Sequence, residues 1–188
     1  MFLQYFYIIV ETFSMKLCLN NKRTGISCMN EREYNKCVEE FADKVFKFFV
    51  KNLQETFSAE DLTQDVLTAL WKNHTQVDFS KAKAYMFVSA HNLMVNFWDK
   101  ERKSLEIKNN LSANKGIYTE TTFENRDLTD RMLENLEEST KECLILRDLH
   151  GFSYKEIAEI TDTTQANVKT KIFRARIKLK ELIKDGKI

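Results

Sequence analysis

The run from Gly151 to Arg176 constrains this chain more than any other stretch. Ser153, followed three residues later by Glu156, is a capping box in which each side chain satisfies an unpaired backbone N–H at a helix start. Ile157, Ala158 and Ile160 then give a short helix its apolar face. Thr161-Asp162-Thr163-Thr164 is built from residues whose side chains bond their own backbone, which predicts a turn and a new N-cap. After it, Val168, Ile172, Ala175 and Leu179 recur at intervals of four, three and four, one face of a second helix. Two short helices joined by a tight turn make a helix-turn-helix, whose second helix enters the DNA major groove.

The charges on the second helix point the same way. Between Gln165 and Lys180 stand Lys169, Lys171, Arg174, Arg176, Lys178 and Lys180, with no acidic residue. Such a rod suits a phosphate backbone, and Gln165, Asn167 and Thr170 are placed to reach base edges. An amphipathic helix with a solvated basic face would share the charge, but not the turn and paired caps in one register. The net charge of +1 hides this asymmetry; only the distribution shows it.

With no proline and four glycines in 188 residues, little breaks a helix, and no stretch sustains strand alternation. The fold class expected is all-α: two small helical domains joined by a flexible linker, the C-terminal one a helix-turn-helix. Cys18, Cys28, Cys37 and Cys143 form no CxxC pair, and His74, His91 and His150 are scattered, so neither a zinc site nor a disulfide framework is indicated. No phosphate loop, nucleophile elbow or metal-binding repeat occurs. Neither an enzyme nor a cofactor is expected.

Taken in order, residues 1–29 form an N-terminal extension, expected to be disordered or dispensable. Its apolar run Phe2–Val10 is too short to span a bilayer and lacks the basic leader of a signal peptide. A first domain is expected over 30–103. Tyr34, Val38, Phe41, Val45, Phe48 and Phe49 stripe its first helix. Its second helix starts at a Ser58 cap and carries Leu62, Val66, Leu67, Leu70 and Trp71 on one face. Asp61, Gln64, Asp65 and Thr68 lie on the other, a pattern that solvated surface also produces. The third runs from about Ser80 to Arg102, with Tyr85, Met86, Val88, Leu93, Phe97 and Trp98, and with Asn92 and Asn96 one turn apart. It closes on Lys100, Arg102 and Lys103; aromatics beside basic residues stack unpaired bases, or else simply fill a core.

Residues 104–129 are mostly polar with no useful stripe and are expected to be the linker. The second domain then spans 130–188. Met132, Leu133 and Leu136 open a short helix, Ser139 and Glu142 form a second capping box, and Cys143, Leu144, Leu146 and Leu149 make an apolar side. Gly151 suits a left-handed helix cap.

Glu156-Ile157-Ala158 and the segment Val168 to Arg176 resemble the C-terminal DNA-binding domain of sigma-70 superfamily factors, most closely the extracytoplasmic-function (ECF) sigma factors of bacterial RNA polymerase. Glu60-Asp61-Leu62-Thr63-Gln64-Asp65-Val66 resembles the segment of that family which docks on the polymerase clamp helices. Phe79, Ala84-Tyr85-Met86-Phe87 and His91-Asn92-Leu93 resemble the adjoining segment that melts and reads the minus-ten element. The resemblance implies a cytoplasmic initiation factor with core RNA polymerase, promoter DNA and an anti-sigma factor as partners, and no membrane insertion of its own. It carries over Asp61, Gln64 and Asp65 as polymerase contacts and Asn92 as partner of an extruded base. Asn96, Trp98, Lys100, Arg102 and Lys103 complete the implied minus-ten set. Arg147, Tyr154, Lys155, Gln165, Asn167, Lys169, Thr170, Lys171, Phe173, Arg174 and Arg176 make the minus-thirty-five set, with Phe173 open between DNA and core. Tyr85 replaces the usual Trp, and Asp99 stands where Arg is common. A stand-alone helix-turn-helix regulator and a helical adaptor are the alternatives.

Overall fold

The structure, a computed structural model, describes residues 29–53, 56–111 and 128–184. Among them are seven α-helices, one 3-10 turn and no strand. The apolar run Phe2–Val10, with the rest of 1–28, lies outside the described residues.

Helix α1 (Glu31–Leu53) begins at a capping box of its own: Asn30 Oδ1 accepts from the Glu33 N–H at 3.0 Å, and Glu33 Oε2 accepts from the Asn30 N–H at 2.8 Å. The expected stripe is buried at Tyr34, Phe41, Val45, Phe48 and Phe49, joined by Cys37 and Asn52. Helix α2 (Thr56–Asn73) and helix α3 (Ala82–Leu111) pack against it. Between them the Asp78 carboxylate accepts from the Ser80 N–H and hydroxyl, capping the 3-10 turn Phe79–Lys81. Val66, Leu70, Met86, Phe87 and Met94 close the core with Phe48. Each side chain of this size contributes roughly 1.5–3 kcal/mol when fully buried. Trp71 meets Tyr34 edge-on, with ring centroids 4.9 Å apart.

The second unit consists of α4 (Leu128–Glu134), α5 (Glu138–Asp148), α6 (Tyr154–Ile160) and α7 (Gln165–Lys184). Helix α7 packs on α5 and α6, burying Val168, Ile172 and Ala175 against Leu146, Ile157 and Ile160. The chain leaves α5 through Gly151 at φ +73°, the left-handed cap anticipated there. A Cβ at Gly151 would meet nothing within 4 Å, so the constraint is on the backbone alone.

Four expectations are corrected. Helix α2 starts at Thr56, so Ser58 lies inside its first turn and does not cap it. Helix α3 continues to Leu111, into the stretch expected as linker, because Leu105-Glu106-Ile107-Lys108 offers no Gly or Pro to stop it; residues 112–127 lie outside the described ones. The Ser139–Glu142 capping box does not form. Helix α5 starts two residues earlier with Glu137 at its N-cap and no side-chain capping bond, while the Glu142 carboxylate turns inward. Leu149 is 52% exposed, whereas Lys141, Glu142, Cys143, Leu144, Ile145 and Leu146 are all buried. Helix α5 is covered nearly all round, by α1 on one side and by α6 and α7 on the other, so a single apolar stripe does not describe it.

Candidate nucleic-acid interface

The helix-turn-helix is built by local bonds. The Ser153 hydroxyl accepts from the Glu156 N–H at 3.2 Å and Glu156 Oε2 accepts from the Ser153 N–H at 2.8 Å. Those bonds hold the Glu156 carboxyl below its ordinary pKa. Helix α6 ends as Asp162 takes φ +45°, and the Thr164 hydroxyl accepts from the Asn167 N–H at 3.2 Å to start α7. With Val168, Ile172 and Ala175 inward, the opposite face of α7 is set. Gln165, Asn167, Lys169, Thr170, Phe173, Arg174 and Arg176 are all exposed. Phe173 is 66% exposed, which resolves its position in favour of the outer face.

These side chains are not equally free. Asn167 Nδ2 donates to Thr163 Oγ1 at 2.9 Å, leaving its carbonyl oxygen outward. The Thr170 hydroxyl donates to the Ala166 carbonyl at 3.0 Å, which holds its rotamer and leaves its oxygen lone pairs free to accept. Arg176 Nη2 donates to Asp148 Oδ1 at 2.6 Å, bracing α7 against the end of α5. Lys171 is half-buried and lies near Cys143 of α5, on the flank of the inward face. Lys169 and Arg174 are therefore the α7 cations within the expected contact set that are exposed and have no ion pair among the described residues.

Along the rim, Arg147 Nη1 donates to the Phe152 carbonyl at 2.7 Å, and its guanidinium sits 4.8 Å from the Tyr154 ring centroid. Lys169 Nζ approaches the same ring at 5.9 Å. Tyr154 thus gathers two cations by its electron-rich face. Lys155 is exposed beside Glu159 at 4.0 Å, a loose surface pair.

On α3, Asn92 and Asn96 are exposed one turn apart, as are Lys100, Arg102 and Lys103. Arg102 Nη2 donates to Asp99 Oδ1 at 2.7 Å, so the acidic substitution noted in the sequence occupies a neighbouring cation. Trp98 is half-buried and packs against the core; Phe97 is half-buried. The Tyr85 hydroxyl accepts from Asn73 Nδ2 at 3.0 Å, tying it to α2. On α2 itself, Asp61, Gln64 and Asp65 all face solvent beside Glu60.

The sequence did not flag Lys141, Glu142 and His150, all buried on or just after α5, or their partners. The available signal was two charges followed directly by four apolar residues, a pattern that capping also explains. Among the described residues there is no cluster of His, Cys, Asp and Glu suited to a metal, and no helix long and apolar enough to cross a membrane.

Comparison with known proteins agrees with this layout. The family model for sigma-70 region 2 matches residues 37–104, and the model for sigma-70, region 4, matches residues 126–179. The chain is 27% identical over 150 residues to the ECF RNA polymerase sigma factor SigM of Bacillus subtilis (strain 168), spanning 78% of this chain and 92% of that protein. It is 25% identical to the ferric citrate uptake sigma factor FecI of Escherichia coli (strain K12), covering 68% and 78% of the two chains. Its fold is like that of the sigma factor RpoE solved in complex with the anti-sigma factor NepR from Bartonella quintana, with a TM-score of 0.68 and 23% identity over 81% of this chain and 98% of that one. A similar likeness holds for CnrH solved with the cytosolic domain of CnrY, with a TM-score of 0.61 and 20% identity over 83% and 90%. An exposed helix-turn-helix behind a three-helix unit with an acidic stripe, matched in order by both regions, places the chain in the sigma-70 family as an ECF RNA polymerase sigma factor.

Proposed function

We propose that Asp61, Gln64 and Asp65 dock the protein on core RNA polymerase, that Asn92 and Asn96 receive minus-ten bases, and that α7 grips the minus-thirty-five element. Lys100 and Lys103 lie where they can hold the phosphates of the melted strand, with Arg102 shared between Asp99 and DNA. Lys169 and Arg174 take phosphates on the upstream duplex, while Gln165, Asn167, Thr170 and Phe173 face base edges. Arg147 and Lys155 contact the backbone from the rim, and Tyr154 holds Arg147 and Lys169 in place. Arg176 and Lys171 act mainly by seating α7. The protein works in the cytoplasm, where its polymerase and promoters are, and initiates transcription without turning over a substrate.

The observation that carries this reading is the outer face of α7, a basic helix without a carboxylate from Gln165 to Lys180 whose inward face is sealed by Val168, Ile172 and Ala175. The domain assignment goes with it: a region-2-like unit from residue 30 through the end of α3 at Leu111, a linker after it and a region-4-like unit over 130–188, preceded by a dispensable extension. An anti-sigma antagonist is the remaining partner, by analogy with the complexes in which RpoE and CnrH were solved. In vitro transcription with sigma-free core polymerase is the test. Promoter-specific initiation that depends on this protein is expected; a stand-alone regulator would give none.

A further inference from the structure

One acidic residue stands in the strip of α3 that is proposed to read the promoter. Asn92, Asn96, Asp99 and Lys103 follow one another at steps of four, three and four, so they share one narrow side of the helix. All four are exposed. Glu101, the other acid nearby, falls on the opposite side of the helix. Asp99 is therefore a carboxylate set among groups that suit DNA.

A carboxylate in this strip repels phosphate, so a strand lying along it turns base edges toward Asp99. Lys103 lies one turn beyond and Lys100 beside it, and these cations hold the backbone around that point. The side chain is also fixed. Arg102 Nη2 donates to Asp99 Oδ1 at 2.7 Å, while Arg102 Nε lies 3.5 Å from the Trp98 carbonyl. Oδ2 has no partner among the described residues, and the side chain is 52% exposed, so this oxygen is left to accept.

The four bases answer such an acceptor differently. On the major-groove edge, which stays reachable whether a base is paired or unpaired, cytosine offers its N4 amino group with only a C–H beside it. Guanine offers two acceptors there, thymine one, and adenine its N6 amino group next to the N7 acceptor. A carboxylate is attracted by cytosine and repelled by guanine and thymine, with adenine in between.

We propose that, given the minus-ten reading of α3 on which this rests, Asp99 selects a cytosine by accepting from its N4 amino group through Oδ2, with Arg102 as a positioning residue. The helix also fixes the place. Asp99 lies seven residues past Asn92, about 10 Å along an axis that rises about 1.5 Å per residue. Bases about 3.4 Å apart cover that length in about three steps, so the cytosine stands about three positions from the base held at Asn92.

Transcription by core polymerase carrying the full chain tests this, from a barcoded template pool randomised across the minus-ten region. Wild-type protein is expected to favour cytosine over guanine and thymine at one position by about tenfold, the scale of a good base contact. Asp99→Asn is expected to move that preference to adenine, since an amide pairs with adenine N6 and N7, and Asp99→Ala to erase it. Arg102→Ala should weaken the cytosine preference without redirecting it. Wild-type protein indifferent to cytosine across the pool overturns this role. So does an Asp99→Ala variant that keeps every base preference and only gains affinity with a steeper salt dependence, because Asp99 would then merely screen phosphate. Wild-type protein that fails to program core polymerase would instead sink the sigma-factor contacts. Capture of the same pool, as single-stranded and duplex oligonucleotides on the protein alone, then decides Asp99, and there too indifference to cytosine overturns it.

Discussion

Glu142 Oε1 lies 2.7 Å from His91 Nδ1, so a carboxylate that local sequence assigns to a helix cap joins the two halves of the molecule. His91 immediately precedes Asn92, the residue proposed to receive a minus-ten base. The contact between the units and the proposed promoter-reading position thus sit on adjacent residues of α3. They diverge because neighbouring helix positions point about 100° apart, as 3.6 residues per turn requires.

Reversing the acidic stripe should abolish docking without unfolding the protein. Asp61→Lys with Asp65→Lys replaces two exposed carboxylates, so stability should change by no more than about 0.5 kcal/mol. Attraction to a basic polymerase surface becomes repulsion. Co-purification with core enzyme is the check, and undiminished recovery would remove the stripe from the interface.

Recognition-helix variants should divide by their environment. Lys169→Ala and Arg174→Ala remove exposed cations, and each should weaken upstream-element binding while lowering the slope of log affinity against log salt by about one. Phe173→Ala, also exposed, should reduce promoter discrimination with little effect on stability. Filter binding across salt concentrations separates these outcomes. A double Lys169/Arg174 variant with wild-type affinity would exclude α7 from the DNA.

Core and cap variants should act through stability. Ile172→Ala, at a 1% exposed position, should cost about 2–5 kcal/mol, and Val168→Ala roughly 1 kcal/mol or more. Ser153→Ala should cost about 1 kcal/mol by removing the cap. Ser153 also holds the Glu156 carboxyl below its ordinary 4.5, so this contribution is present above that pH and lost as pH falls below it. Thermal melts at neutral and acidic pH should show the Ser153→Ala deficit shrinking on acidification.

Acid should loosen the contact between the units. Burial, with Lys83, Lys44 and Lys47 nearby, pushes His150 from 6.5 down to about 4. The packed units hold it neutral, so its contribution is intact above pH 6.5 and is lost progressively as pH falls from 6.5 toward 4. The His91–Glu142 pair and Lys141 face the same interface. His150→Leu isolates the effect: scattering should show the wild type expanding over that window and the variant expanding less. Identical profiles would exclude His150 as the cause.

Deleting residues 1–28 should leave promoter-dependent transcription unchanged, because the capping box that starts α1 lies at Asn30 and Glu33. In vitro transcription with the shortened chain is the check. Loss of activity, or a large gain, would assign the segment a role.

Local periodicity and capping chemistry carried much of this fold. The α1 stripe, the Ser153 box, the Thr164 start and the inward Val168–Ile172–Ala175 face are each specified within one or two helical turns, so neighbouring residues suffice to define them. That legibility ended where a helix has more than one covered side. Helix α5 lies between α1 and α7, and Lys141 and Glu142 look polar in sequence while their partners stand 89 and 51 residues away. The same holds for Arg176, whose bond to Asp148 reaches 28 residues back, and for Lys171, which helix rotation sets against α5. Period and propensity determine which face of a helix is apolar. Which charges that face must bury, and which cations remain for DNA, is decided when helices distant in sequence compete for the same space, and only the tertiary packing holds that information.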